Sequence, residues 1–323
     1  MRAVAAGLIS FLVLSAAETV QAASNAVTIR EEKGYRMIES NGIPDHSPGQ
    51  FPNRGNPNTI SPQSYSFRMP LEPVFSSQTF EYGHDLFGVA LNGVPFDPET
   101  AEFWNNDRSS GWNYDALSGK INLGIDTHHA HVQPTGAYHY HGVPAALIRK
   151  SGGRNPVLAG YATDGFPVYY EPGVRPSWRL KQGTRLSGPG GRYDGTYVQD
   201  YEYAAGTGDL DECNGRVSTT AEYPAGIYHY DLTEAFPFVP RCLHGKADPS
   251  FEKAHPHTQG AGGQERRGPP GGGRKAPAEA VAACSGKGEG SSCSFNAPRG
   301  RVTGTCRKIP EGTACVPSGP PPF

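Results

Sequence analysis

Gly136-Ala137-Tyr138-His139-Tyr140-His141 decides how this chain is read, because it returns in altered form as Gly226-Ile227-Tyr228-His229-Tyr230-Asp231. Successive side chains of a β-strand point to opposite faces, so His139 and His141 share one side and Tyr138 and Tyr140 the other. The second copy pairs His229 with Asp231 in the same way, with Tyr228 and Tyr230 behind. Tyrosines can bury their rings while hydrogen-bonding at their tips, a rigid backing for a polar site. Two copies fall short of the three or more units of a solenoid; they point to paired or pseudo-symmetric strands.

Just upstream, Thr127-His128-His129-Ala130-His131 offers a second alternating pair, His129 and His131, which leads through Gln133-Pro134-Thr135-Gly136 into the first run. If that bridge is a hairpin loop, the two pairs face each other across adjacent strands. Several imidazoles then converge, and neutral imidazole is the commonest metal ligand. The expected ligands are His129, His131, His139, His141, His229 and Asp231, holding a divalent ion, zinc or copper. Asp164 and Asp211 are the candidate catalytic carboxylates, with Asp126 beside the upstream cluster as a further one. The alternative is a polar core network in which backbone carbonyls and tyrosine hydroxyls satisfy the histidines. Asp164-Gly165 is also a common turn dipeptide. His46 and His84 stand alone and are read as structural, and His255-Pro256-His257 as solvated.

Outward from these runs, Phe67 to about Gly245 is dense in Tyr, Phe, Val and Trp, broken by Gly, Pro, Asn and Asp at strand-like intervals. Phe87-Gly88-Val89-Ala90-Leu91 ends at Asn92-Gly93, and Phe166-Pro167-Val168-Tyr169-Tyr170 follows Asp164-Gly165. With 42 Gly, 30 Pro and 36% hydrophobic residues, little material is left for long helices. Ala145 to Lys150 is one candidate helical turn. The fold class expected is mainly β, or α+β with little helix: a loop-rich, antiparallel β-sheet domain plus a small disulfide-stapled C-terminal module. The organisation expected is a signal peptide at 1–22, an N-terminal arm at 23–66, the β domain at 67–250, a Gly/Pro-rich linker at 251–283, the Cys-rich module at 284–316 and a Pro-rich tail at 317–323.

Arg2 followed by an apolar run to Ala17 and small residues at Val20 and Ala22 reads as a secretory signal cleaved after Ala22. The apolar run is shorter than a bilayer span. A periplasmic or secreted location follows, in which six cysteines are oxidised. Cys213 is expected to pair with Cys242; Cys284, Cys293, Cys306 and Cys315 allow three pairings. A net charge of −2 offers no field for nucleic acid. Phosphate-binding, zincin, serine-hydrolase and dinucleotide motifs are missing from the sequence. The Cys-rich tail is a candidate surface for an envelope or protein partner.

Several of these segments together resemble the YHYH-domain family, named for the run that here is Tyr138 to His141. The others are Val89 to Pro95, Asp164 to Tyr169, Leu210 to Gly215, the second run from Tyr228, and Cys242 to Gly245. The resemblance implies an often exported protein whose family has no established biochemical function. Asp231 departs from it, standing where a histidine often stands; as a ligand, a carboxylate there would favour zinc or copper(II) over copper(I).

Overall fold

The computed structural model describes residues 23–81, 83–253, 278–297, 300–309 and 312–317. The expected signal peptide, most of the expected linker with His255 and His257, and the last six residues lie outside that set. One unit of the chain ends at Ala254 and a second runs from His255 to Phe323.

The first unit opens with three antiparallel strands, β1 (Val27–Glu32), β2 (Tyr35–Ser40) and β3 (Tyr65–Pro70). Part of the expected arm is thus a hairpin. Its Lys33-Gly34 turn takes positive φ at both residues, as a two-residue hairpin requires. Ile38, Phe67 and Met69 are buried from this sheet. The main sheet then takes β4 (Gly88–Ala90), β5 (Pro95–Phe96), β6 (Ala130–Val132), β7 (Tyr138–Tyr140), β8 (Val157–Ala162) and β9 (Pro167–Tyr170). Helix α1 (Ala145–Lys150) comes between β7 and β8, where the sequence suggested a helical turn. A two-stranded excursion, β10 (Trp178–Leu180) with β11 (Tyr201–Tyr203), precedes β12 (Gly215–Ser218) and β13 (Ile227–Leu232), which complete the main sheet.

The strand order of the eight-stranded sheet is β12-β13-β9-β8-β4-β5-β7-β6. Each half is built from two hairpins, β4–β5 with β6–β7 and β8–β9 with β12–β13. In each half the hairpins join through a parallel pair, β5 with β7 and β9 with β13. The halves meet antiparallel at β4 and β8, where Val89 lies opposite Tyr161. That register is a local two-fold: Gly88 faces Ala162 and Ala90 faces Gly160. A side chain on Gly88 would strike the Tyr161 carbonyl and one on Gly160 the Val89 carbonyl, so close approach of β4 and β8 accounts for both glycines.

The two-fold extends to the turns. Asn92-Gly93 and Asp164-Gly165 close equivalent hairpins, with Ala90 N–H donating to the Val94 carbonyl at 2.9 Å and Ala162 N–H to the Phe166 carbonyl at 2.9 Å. Tyr138, Tyr140, Tyr228 and Tyr230 point into one large core with Phe96 and Val168. On the opposite face, Val89 and Tyr161 pack against Ile38, Phe67, Met69 and Phe251.

The second unit holds α2 (Ala278–Ala282), within the expected linker, and the antiparallel strands β14 (Ser292–Ala297), β15 (Gly300–Ile309) and β16 (Gly312–Pro317). Disulfides join Cys284 to Cys306 and Cys293 to Cys315, and Cys213 to Cys242 in the first unit. Among the described residues no helix is long and apolar enough to cross a membrane.

Candidate metal centre

β6 and β7 are antiparallel with His131 directly opposite His139, as a hairpin through Gln133–Gly136 demands. His141 follows on the same face. The ring centroids of His131, His139 and His141 lie 4.6 to 4.8 Å apart, and one nitrogen of each is within 4.8 Å of the others. His139 Nε2 and His141 Nε2 stand 3.0 Å apart. The far side of two rings is fixed by backbone: His131 Nδ1 donates to the Leu123 carbonyl at 3.0 Å and His139 Nδ1 to the Ala137 carbonyl at 3.2 Å. Such bonds set the tautomer and turn the other nitrogen inward, the arrangement that orients metal-bound histidines. Burial pushes the pKa values of all three below the ordinary histidine value, most strongly for His139 and His141, which favours neutral imidazoles, each with one lone pair.

His129, His229 and Asp231 do not join this cluster. His129 takes a left-handed backbone, φ 57°, which breaks the alternation and sends its exposed ring to the Val143 carbonyl at 2.9 Å. His229 and Asp231 lie on β13, five strand steps from β7, on the order of 24 Å at one strand spacing per step. There His229 Nε2 and Ser218 Oγ share a hydrogen bond at 2.7 Å, and Nδ1 faces Asp231 Oδ2 at 3.2 Å. Arg216 Nε lies 3.3 Å from the same oxygen, and the guanidinium also pairs with Glu171.

A family model described as YHYH protein matches residues 66–245. The chain belongs to the YHYH protein family. No curated protein and no solved structure matches it. The family match covers both halves of the eight-stranded sheet, so the Tyr-His-Tyr-His run and its altered copy are equivalent parts of one YHYH domain.

The two candidate catalytic carboxylates serve the tyrosine face of the second half. Asp164 Oδ2 accepts from Tyr230 O–H at 2.6 Å and Gly245 N–H at 2.9 Å. Burial raises its pKa to about 6. Asp211 Oδ1 accepts the Cys213 and Gly215 amides, and Oδ2 accepts Tyr228 O–H at 2.9 Å and faces His244 Nε2 at 3.4 Å. Asp126 does the same in the first half, accepting the His128 and Ala130 amides on Oδ1 and Tyr138 O–H at 2.7 Å on Oδ2. Asp126 and Asp211 are therefore twin latches that lock a tyrosine to the turn ahead of its hairpin. This shared role also accounts for Asp211 within its grouping with Glu212 and His244.

Reading the sequence missed Asp97. Phe96 pairs with Tyr140, so Asp97, the next residue, falls on the histidine face of the neighbouring strand. It is 1% exposed; Lys253 Nζ lies 2.6 Å and Gln133 Nε2 3.1 Å from Oδ2, while Oδ1 has no hydrogen bond. Burial raises its pKa against the pull of Lys253. Its only sequence signal is the alternation from Phe96, which has meaning once the β5–β7 pairing is known. A depression of about 500 Å³, lined by the 116–125 loop, lies beside Leu123, whose carbonyl holds His131.

Proposed function

We propose that this protein is an exported metalloprotein whose first half binds one divalent cation, zinc or copper, through His131, His139 and His141. The observation that carries the reading is a proton count. With Nδ1 of His131 and of His139 donating to carbonyls, the Nε2 of each has only a lone pair to offer inward. His141 brings a single N–H, which can satisfy one of them at most. A cation takes all three inward lone pairs, with the His141 proton then on Nδ1, which is buried without a hydrogen bond. Two ligand nitrogens about 2.05 Å from a tetrahedral ion stand about 3.3 Å apart, close to the 3.0 Å between His139 and His141. Three imidazoles suit zinc or copper, and with Asp231 elsewhere the case against copper(I) from a hard oxygen ligand falls away.

Three protein ligands leave a coordination position for water or substrate, the pattern of catalytic rather than structural sites. Asp97, anchored by Lys253, supplies a buried carboxylate on the same face, suited to accept a proton in a hydrolytic step. Export rests on the N-terminal run from Arg2 to Ala22 and on three disulfides. The 3.0 Å contact between His139 and His141 also favours a second reading, a neutral hydrogen-bonded network without an ion.

Elemental mass spectrometry on untagged mature protein separates the two. About one equivalent of zinc or copper, lost in the H139A/H141A variant, is expected, together with a fall in melting temperature on chelation. A metal-free protein whose melting ignores added zinc and chelator would overturn the metal reading in favour of the network.

A further inference from the structure

The two-fold of the main sheet puts a second residue in register with each member of the histidine cluster. His131 lies opposite His139 on β6–β7, and Arg216 lies opposite His229 on β12–β13. Tyr140 corresponds to Tyr230 through their parallel partners Phe96 and Val168, so His141 corresponds to Asp231. The backbone confirms the match. His141 N–H donates to the His129 carbonyl at 2.7 Å, and Asp231 N–H to the Asn214 carbonyl at 2.8 Å. His129 and Asn214 both take φ 57°. The set His131, His139, His141 in one half is thus Arg216, His229, Asp231 in the other.

We infer that the second half is a latent metal site whose cation has been replaced by the guanidinium of Arg216. This rests on reading the first half as a metal site. Asp231 is fully buried, and a carboxylate in that position needs a positive partner. Arg216 provides it at 3.3 Å, bridging to Glu171. An arginine on an edge strand would ordinarily reach into solvent; this side chain is only 24% exposed and folds inward over the site. Replacing it by histidine assembles two imidazoles and a carboxylate, a ligand set that binds zinc in hydrolytic sites. The chain therefore takes up one ion rather than two, and residue 216 decides whether the second half joins the first in binding one.

The test is zinc stoichiometry, by equilibrium dialysis of metal-stripped protein, for wild type, R216H, H139A/H141A and R216H/H139A/H141A. One, two, zero and one equivalents are expected. Wild-type protein that binds two, or folded R216H that gains none over its parent, would overturn the inference. Wild-type protein that binds none while R216H binds one would instead remove the reading of the first half and leave this one standing. Should R216H fail to fold, R216M, D231N and R216M/D231N report the same role through stability. R216M should melt lower than wild type and the double variant should recover most of that loss; a double variant as unstable as R216M would overturn the role of Arg216 as counter-cation.

Discussion

At Asp164 burial and hydrogen bonding pull in opposite directions, and burial wins. The carboxyl receives Tyr230 O–H, Gly245 N–H and, at 3.3 Å, Phe166 N–H, yet its pKa rises to about 6. A raised acid pKa means the folded state keeps its proton where the unfolded chain has released it. Stability is then lost as pH rises from about 4 to about 6, by on the order of 2 to 3 kcal/mol. Denaturant midpoints across this window should fall for wild type and change less for D164N. The twin hairpin carries Asn92, so an amide fits this turn. Identical slopes for the two proteins would remove Asp164 as the cause. The residue scale is also where the sequence was least informative: Asp164, Asp211 and Asp126 are one chemical type with similar turn contexts, and only their hydrogen-bond partners distinguish latches from a candidate ligand.

Among the elements, the β6–β7 hairpin does most to assemble the site, since a one-residue slip would send His131 to the opposite face. Its turn depends on Gly136, at φ 84°, where an added Cβ would collide with Ser61 Oγ. The equivalent Gly226, at φ 87°, has its nearest neighbour 3.7 Å away from such a Cβ. G226A should therefore cost only the backbone strain, about 1 kcal/mol, while G136A should cost that plus a clash, about 2 kcal/mol or more. Urea denaturation of both measures this, and G136A alone should also weaken zinc uptake. Equal losses would show that packing against Ser61 does not matter. Hairpins of this kind were legible because Asn-Gly, Asp-Gly and a proline-bearing turn mark them locally. The β1–β2 hairpin was missed because Lys33-Gly34 is a weaker turn signal and Arg36 and Met37 blur the alternation. The excursion of His129 was hidden for a similar reason: nothing in Thr127 to His131 announces a left-handed residue.

For the molecule as a whole, the two units should respond differently to reduction. The module from Ala278 onward has a core made largely of its own cystines. Each bond closes a separation of 22 residues, worth about 3 kcal/mol in the chain-entropy model. Mild reductant should make this module protease-sensitive while fragments of the eight-stranded domain survive, read by limited proteolysis and mass spectrometry. A module that stays resistant after complete reduction would show that its strands suffice. The β class, the Tyr-His alternation, the pairing of Cys213 with Cys242 and the family are legible in the residues alone, because these depend on local period, turn chemistry and redox context. The two related runs are legible there too. That they stand in opposite halves of one sheet emerges from long-range pairing, because the β5–β7 and β9–β13 pairs that place them are parallel contacts between hairpins. Nothing local encodes such contacts; they form because both tyrosine faces bury into a common core, and β5–β7 sets Asp97 on the histidine face, whereas each hairpin gathers its own set, His131, His139 and His141 in one half and Arg216, His229 and Asp231 in the other.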